Sequence, residues 1–432
     1  MSLRQGAFVA ILLTILLAIA GDWSGGAEAM RLWCVPAALL LAGLVYERLF
    51  VRGAKLQLRL VVPARWRLAR PAEVLLEFTQ GTRRPLAIEV APDAPPGLEC
   101  PRDTRLVEVP AGDAGREALR VVPRRLGEFA WPAIRTRVRG PLGLAWWPQR
   151  VSDPVQVRVE PDLIGAGAAL RGAERIGDRS TVRAGVGGEV LQLRDYRPGD
   201  PLRSIDWKAT ARAGHLIARD YAEDQRLEVV ICLDAGRGSS IWCGELDRLG
   251  HYANAAARLA EHVVSHDDSV GLVVFGDQPL AALPPSRGVA AVTRMRALLT
   301  ALEPQRTDSN PIHAAARVRS LVRRRCLVVL LTDVDDAASS GQLAAAVRLL
   351  LPQHLPLVAG LRSAERDAFT AAAGGDAADA YRALAAAEHS QRLDRAVAAL
   401  HAVGVRAILA RPEQLESEVV EAYRSFRRQR RV

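Results

Sequence analysis

Two apolar runs that each stop at an aspartate decide most of what this chain can become. Residues 227–233 (LEVVICL) lead into Asp234, and residues 326–332 (CLVVLLT) lead into Asp333. A run with no wet side predicts a strand covered on both faces, as in a parallel sheet. Residues 270–275 read the same way, and 356–361 and 405–410 supply outer strands. Between them, 246–265, 289–302, 311–325 and 339–351 carry helical spacing. Strand alternating with helix over 226–432 predicts a doubly wound, mostly parallel α/β sheet. The chain then ends on a basic helix, 413–431, whose arginines could meet lipid headgroups or water.

Upstream, over 55–160, the period changes to two. Leu56, Leu58, Leu60 and Val62 alternate with more polar neighbours, and Leu86, Ile88 and Val90 repeat the beat. So do Thr136 and Val138 among arginines, and Val155, Val157 and Val159. Half-buried strands with Pro and Gly breaks predict an all-β sandwich domain, immunoglobulin-like in general shape. Trp131, Trp146 and Trp147 are expected in its core or at its seam with the next domain. Residues 161–225 read as an irregular connector.

The first 54 residues hold two apolar runs, 6–21 and 32–50, separated by a short polar turn. The first alone could be a signal peptide. The second, directly behind it, predicts a transmembrane helical hairpin across 1–54 with Trp23 as an interfacial anchor. Arg4 precedes the first run and Arg48, Arg52 and Lys55 close the second, so the positive-inside rule places both ends in the cytoplasm. The expectation is a two-pass inner-membrane protein with cytoplasmic domains.

Composition narrows the partners. The formal net charge is +10, yet Lys55 and Lys208 are the only lysines. Juxtamembrane arginines suit anionic lipid; without an aromatic-interleaved basic patch or reader motif, nucleic acid is not an expected partner. Five widely spaced cysteines form neither a disulfide frame nor zinc spacing, and Cys232 and Cys326 fall in the buried strands as core residues.

Residues 193–221 read LRDYRPGDPLRSIDWKATARAGHLIARDY. Pro198–Gly199 presets a turn. Arg194, Arg197, Asp200, Arg203, Asp206 and Arg212 around it can interlock as bidentate carboxylate–guanidinium pairs. With Tyr196, Ile205 and Trp207 laid on a core, this is a structural clasp joining two domains or a partner-binding site. The words Arg194-Asp195-Tyr196-Arg197-Pro198-Gly199-Asp200 and Arg203-Ser204-Ile205-Asp206-Trp207, with Gly185-Val186-Gly187-Gly188-Glu189 upstream, resemble the domain-of-unknown-function 58 family. The resemblance implies a membrane-anchored protein with a von Willebrand factor A-like domain, associated with a MoxR-type AAA+ ATPase.

In open α/β sheets ligands bind at the carboxyl ends of strands, where Asp234 and Asp333 fall. The resemblance implies a metal-ion-dependent adhesion site there, with Asp234, Thr307 and Asp333 as ligands and Mg²⁺ as the expected cofactor. The pattern departs at Gly236 and Gly238, where two serine ligands should stand; Ser239 and Ser240 are one step out of register. The alternative is that Asp234 and Asp333 cap backbone N–H groups.

No nucleophile–base–orienter pattern, Walker loop or dinucleotide motif is present. The resemblance therefore implies a non-enzymatic membrane-tethered adaptor, binding a client or a MoxR-type ATPase in chaperone-like assembly or maturation. Two alternatives stay open: a metal-dependent binding module acting alone, and a protein-modifying hydrolase using Asp195, Asp200, Asp206 and the arginines, marked by raised carboxyl pKa values.

Overall fold

The computed structural model describes residues 2–23, 33–112, 114–150, 153–162, 184–222, 226–334, 337–362 and 377–430. They divide into two compact units, Met1–Asp162 with Leu298–Glu303, and Leu163–Ala297 with Pro304–Val432.

In the first unit, helices Gln5–Trp23 and Cys34–Gly53 form from the two apolar runs. Among the described residues Cys34–Gly53 is long and apolar enough to cross a membrane, whereas the apolar part of the first helix, Gln5–Ala20, is shorter. The turn expected between them lies outside the described residues. Phe8, Leu12, Leu16, Leu39 and Leu49 are all exposed, an apolar surface that water does not favour.

The β part follows the period of two. Gln57–Val61 buries Leu58 and Leu60, and Ala72–Thr79 buries Val74, Leu76 and Phe78. The strands of this unit sort into sheets of five, four and three strands. Pairs as short as Trp66–Arg67 and Leu98–Glu99 split the ladders, because each proline nearby removes a ladder donor. Trp131 is buried against Trp66, ring centroids 6.4 Å apart. Trp146 and Trp147 serve elsewhere. Strand Ser2–Leu3, ahead of the first helix, pairs antiparallel with Ala145–Trp146, and the Arg4 guanidinium lies 5.9 Å over the Trp146 ring. Trp147 Nε1 donates to Glu47 at 3.2 Å.

The second unit holds a six-stranded sheet in the order Pro279–Ser286, Ser269–Phe275, Glu228–Asp234, Leu327–Leu331, Leu355–Leu361, Arg406–Ala410. Pro279–Ser286 is antiparallel to its neighbour; the other five strands run parallel. Every residue of Ser269–Phe275 and Leu327–Leu331 is buried, as a strand covered on both faces requires. Cys232 and Cys326 lie in this core with Val230, Val328 and Leu343. The C-terminal helix, Leu415–Arg430, packs one face against the protein. It buries Val419, Ala422 and Tyr423, and Tyr423 Oη donates to the buried Asp268 at 2.6 Å. Arg427 Nε donates to the same carboxylate at 3.1 Å.

Candidate functional site

The expected connector is ordered where it is described. Residues 163–183 and 223–225 lie outside the described residues, but Ala184–Asp195 pairs antiparallel with Ile217–Ala222, and the RPGD and IDW words fill the return. Pro198 and Gly199 make the turn, closed by Asp200 N–H donating to Arg197 O at 3.0 Å, with Gly199 at φ 108° where only glycine sits without strain. Arg194 grips Asp200 bidentately at 2.7 and 2.9 Å, Arg197 N–H adds 2.9 Å, and Tyr196 Oη donates to Asp200 O at 3.0 Å. Asp206 caps helix Trp207–Ala213, accepting from Lys208 N and Ala209 N at 3.0 and 3.1 Å, while Arg219 Nε donates to it at 2.9 Å.

Both ion pairs thus close within the ribbon, instead of bridging domains. They hold the carboxyls of Asp200 and Asp206 down at about 2, chiefly through the hydrogen bonds from Arg194 and Arg219. Raised values were the expected mark of a hydrolase; these carboxylates are lowered. Ile205 is buried, but Trp207 is 67% exposed and Leu202 73%, so the tryptophan does not lie on a core as its apolarity suggested. Arg197, Pro198, Gly199 and Arg212 are exposed as well. Arg203 sits in the short 3₁₀ turn Leu202–Ser204.

The second feature is the rim of the sheet. Glu228–Asp234 connects onward to one side of the sheet and Leu327–Leu331 to the other, so their carboxyl ends flank the point where strand order reverses, the place where open α/β sheets form crevices. A cavity of about 800 Å³ opens there, lined by Asp234, Thr332 and Asp333 and by Arg237, His389 and Arg392.

Asp234 is buried and fully engaged. Gly236 N–H donates to Oδ1 at 2.9 Å, Ser309 Oγ donates to the same oxygen, and Thr332 Oγ1 donates to Oδ2 at 2.5 Å. Burial pushes its carboxyl up despite those donors and the nearby Arg248 charge. Asp333 pairs with the guanidinium of Arg248, whose side chain is 3% exposed. Thr307 is exposed, and its carbonyl accepts Arg237 N–H at 2.8 Å. The hydroxyls that reach Asp234 are those of Ser309 and Thr332. Ser239 Oγ and Ser240 Oγ donate to Gly236 O and Arg237 O at 2.7 and 2.8 Å, so both close the local turn.

The set does not fit a divalent cation. A Cβ at Gly236 would fall on Ser309 Oγ, so a serine ligand has no room there. Among the described residues no three His, Cys, Asp or Glu side chains gather closely enough to hold a metal. Arg248 went unnoticed in the sequence because an arginine at a helix start reads as solvated.

With the geometry in place, comparison with known proteins is informative. Residues 192–357 match the family model described as "Protein of unknown function DUF58". The match spans the RPGD and IDW words and both rim aspartates, and begins after the Gly185–Glu189 run. Uncharacterised proteins of Mycobacterium bovis and Mycobacterium tuberculosis are each 25% identical over 198 residues, 43% of this chain. The chain spans 62% of the length of those relatives. The crystal structure of the conserved hypothetical protein BatB from Bacteroides thetaiotaomicron aligns at 14% identity over 47% of this chain and 99% of its own, with a TM-score of 0.32.

Proposed function

We propose that this chain is a membrane-tethered, non-enzymatic adaptor whose signature ribbon presents a fixed epitope to a protein partner. One observation carries the reading: the ribbon pairs Arg194 with Asp200 and Arg219 with Asp206 internally while leaving Leu202 and Trp207 in solvent. Exposed tryptophan with arginine nearby is what protein-binding hot spots are made of, and a preformed loop loses little entropy on docking. The family resemblance suggests a MoxR-type AAA+ ATPase or its client as the partner, and a von Willebrand factor A-like character for the six-stranded sheet unit. The exposed apolar helices at the start of the chain favour tethering in the cytoplasmic membrane with the soluble units inside the cell.

An enzymatic reading gains little from the one close thiol–imidazole pair among the described residues. Cys326 Sγ lies 3.2 Å from His354 Nδ1, but both are buried at the amino end of strand Leu327–Leu331, opposite the rim. Burial pushes the Cys326 thiol up to about 12, the reverse of an activated nucleophile.

The test is co-purification of an ATP-hydrolysing partner from membranes carrying the full chain. Trp207→Glu is expected to abolish it and leave the melting temperature unchanged, because the side chain packs on little. Retained co-purification in Trp207→Glu and in Leu202→Glu would rule the ribbon out as the contact.

A further inference from the structure

We infer that Arg248 stands in for a divalent cation at the rim of the sheet, so that this site is closed to metal. The inference concerns the cavity at the strand-order reversal and is independent of the partner proposed for the ribbon. Asp234 and Asp333, at adjacent strand ends, are the two carboxylates that a hard cation would use. Here the positive charge paired with Asp333 comes from the chain itself.

Arg248 is placed by its local structure. The antiparallel pair Trp242–Cys243 and Leu246–Asp247 brings the chain back to the rim. Asp247 then caps helix Arg248–Ser265 by accepting Gly250 N–H at 2.8 Å, and Arg248 N–H donates to Ile241 O at 3.0 Å. With its backbone pinned at both sides, the guanidinium is buried against Asp333 and close enough to Asp234 for its charge to oppose that carboxyl's upward shift.

A metal would have to evict this group. Removing one partner of a buried pair leaves an uncompensated charge, which is the costly outcome. Mg²⁺ also dehydrates reluctantly and needs a near-octahedral oxygen set. Asp234 is already occupied by three donors, Gly236 and Gly238 offer no hydroxyl, and Ser239 and Ser240 use theirs in the turn. Gly238 does have space, since a Cβ added there would lie 3.6 Å from Asp333 Oδ2. The cavity is lined by Arg237, Arg248 and Arg392 together with Asp234, Asp308 and Asp333, so its charges are supplied by the chain on both sides of the balance.

Titration of the detergent-solubilised full chain with MnCl₂, followed by calorimetry and by the electron paramagnetic resonance of free Mn²⁺, tests this without any partner. The wild type is expected to show no saturable site up to about 1 mM, the weak end of protein cation affinities, and the same melting temperature in MgCl₂ as in EDTA. Arg248→Met is expected to melt lower than wild type and to regain part of the difference with MnCl₂. Saturable Mn²⁺ binding to the wild type that disappears in Asp234→Asn would overturn the inference. If Arg248→Met does not fold, the wild-type titration decides alone. Loss of partner co-purification bears only on the ribbon.

Discussion

Asp200 and Asp206 are each held by a guanidinium and by backbone N–H groups, and this governs how they respond to acid. Their folded-state values of about 2 lie below the ordinary 3.8. The folded chain thus binds fewer protons than the unfolded one in that window, so the stability they contribute is present above 3.8 and lost as pH falls toward 2. Carboxyl resonances followed by NMR against pH should titrate near 2 for both, and Arg194→Ala should return Asp200 toward 3.8 while Asp206 stays put. Asp234 has the opposite sign. Its folded value is raised by burial, so the folded chain holds the proton longer, and stability declines as pH rises from 3.8 through the folded value. Asp234→Asn should flatten that decline in denaturant midpoints measured across pH. The rim aspartates were legible because each ends an apolar strand. Ser309 and Arg248 were not, since which hydroxyl or guanidinium reaches a buried carboxylate depends on loops whose paths the residue order does not display.

Elements show where periodicity suffices and where it fails. The covered strands Ser269–Phe275 and Leu327–Leu331 announced themselves, because burial on both faces leaves room only for apolar side chains. Pro279–Ser286 did not: Pro279, Pro284 and Pro285 argue against a strand, and it survives as an antiparallel edge, where missing donors cost least. The glycine-rich start of Ala184–Asp195 hid the ribbon for a similar reason. Nor did composition reveal the attachment of the second helix. Glu47 interrupts the second apolar run; it is buried and accepts Leu142, Leu144 and Ala145 N–H at 3.0, 2.9 and 3.0 Å. Each buried donor left unpaired costs about 1–3 kcal/mol, so Glu47→Ala should lower stability by at least one such step in thermal melts. A Cβ at Gly140 would fall on the same carboxylate. Gly140→Ala is therefore expected to destabilise the wild type and to do far less harm in Glu47→Ala, a non-additivity that a double-mutant cycle measures.

For the whole molecule, that latch has a topological consequence. Ser2–Leu3, before the first helix, pairs with Ala145–Trp146, and Arg4 N–H donates to Leu144 O at 2.9 Å. Glu47 and Val51, late in the second helix, accept hydrogen bonds from the same strand and the loop that leads into it, Gln149 Nε2 reaching Val51 O at 2.8 Å. The beginning of one helix and the end of the next thus meet at one place, as the proposed tethering by both helices requires. On that proposal Arg4, Arg48, Arg52 and Lys55 share a face, and the positive-inside rule predicts that it is the cytoplasmic one. The native cysteines can report on this. Cys34, exposed at the start of the second helix, lies at the opposite end from Glu47. Cys232, Cys243 and Cys326 are buried, and burial pushes the Cys100 thiol up to about 11, which slows its reaction. A membrane-impermeant maleimide added to intact cells should therefore label the chain, and Cys34→Ser should remove the label. A C-terminal tag should resist external protease until the membrane is opened. Cleavage of that tag on intact cells would put the β unit and the sheet unit outside, and the tethered-adaptor reading would fall with it.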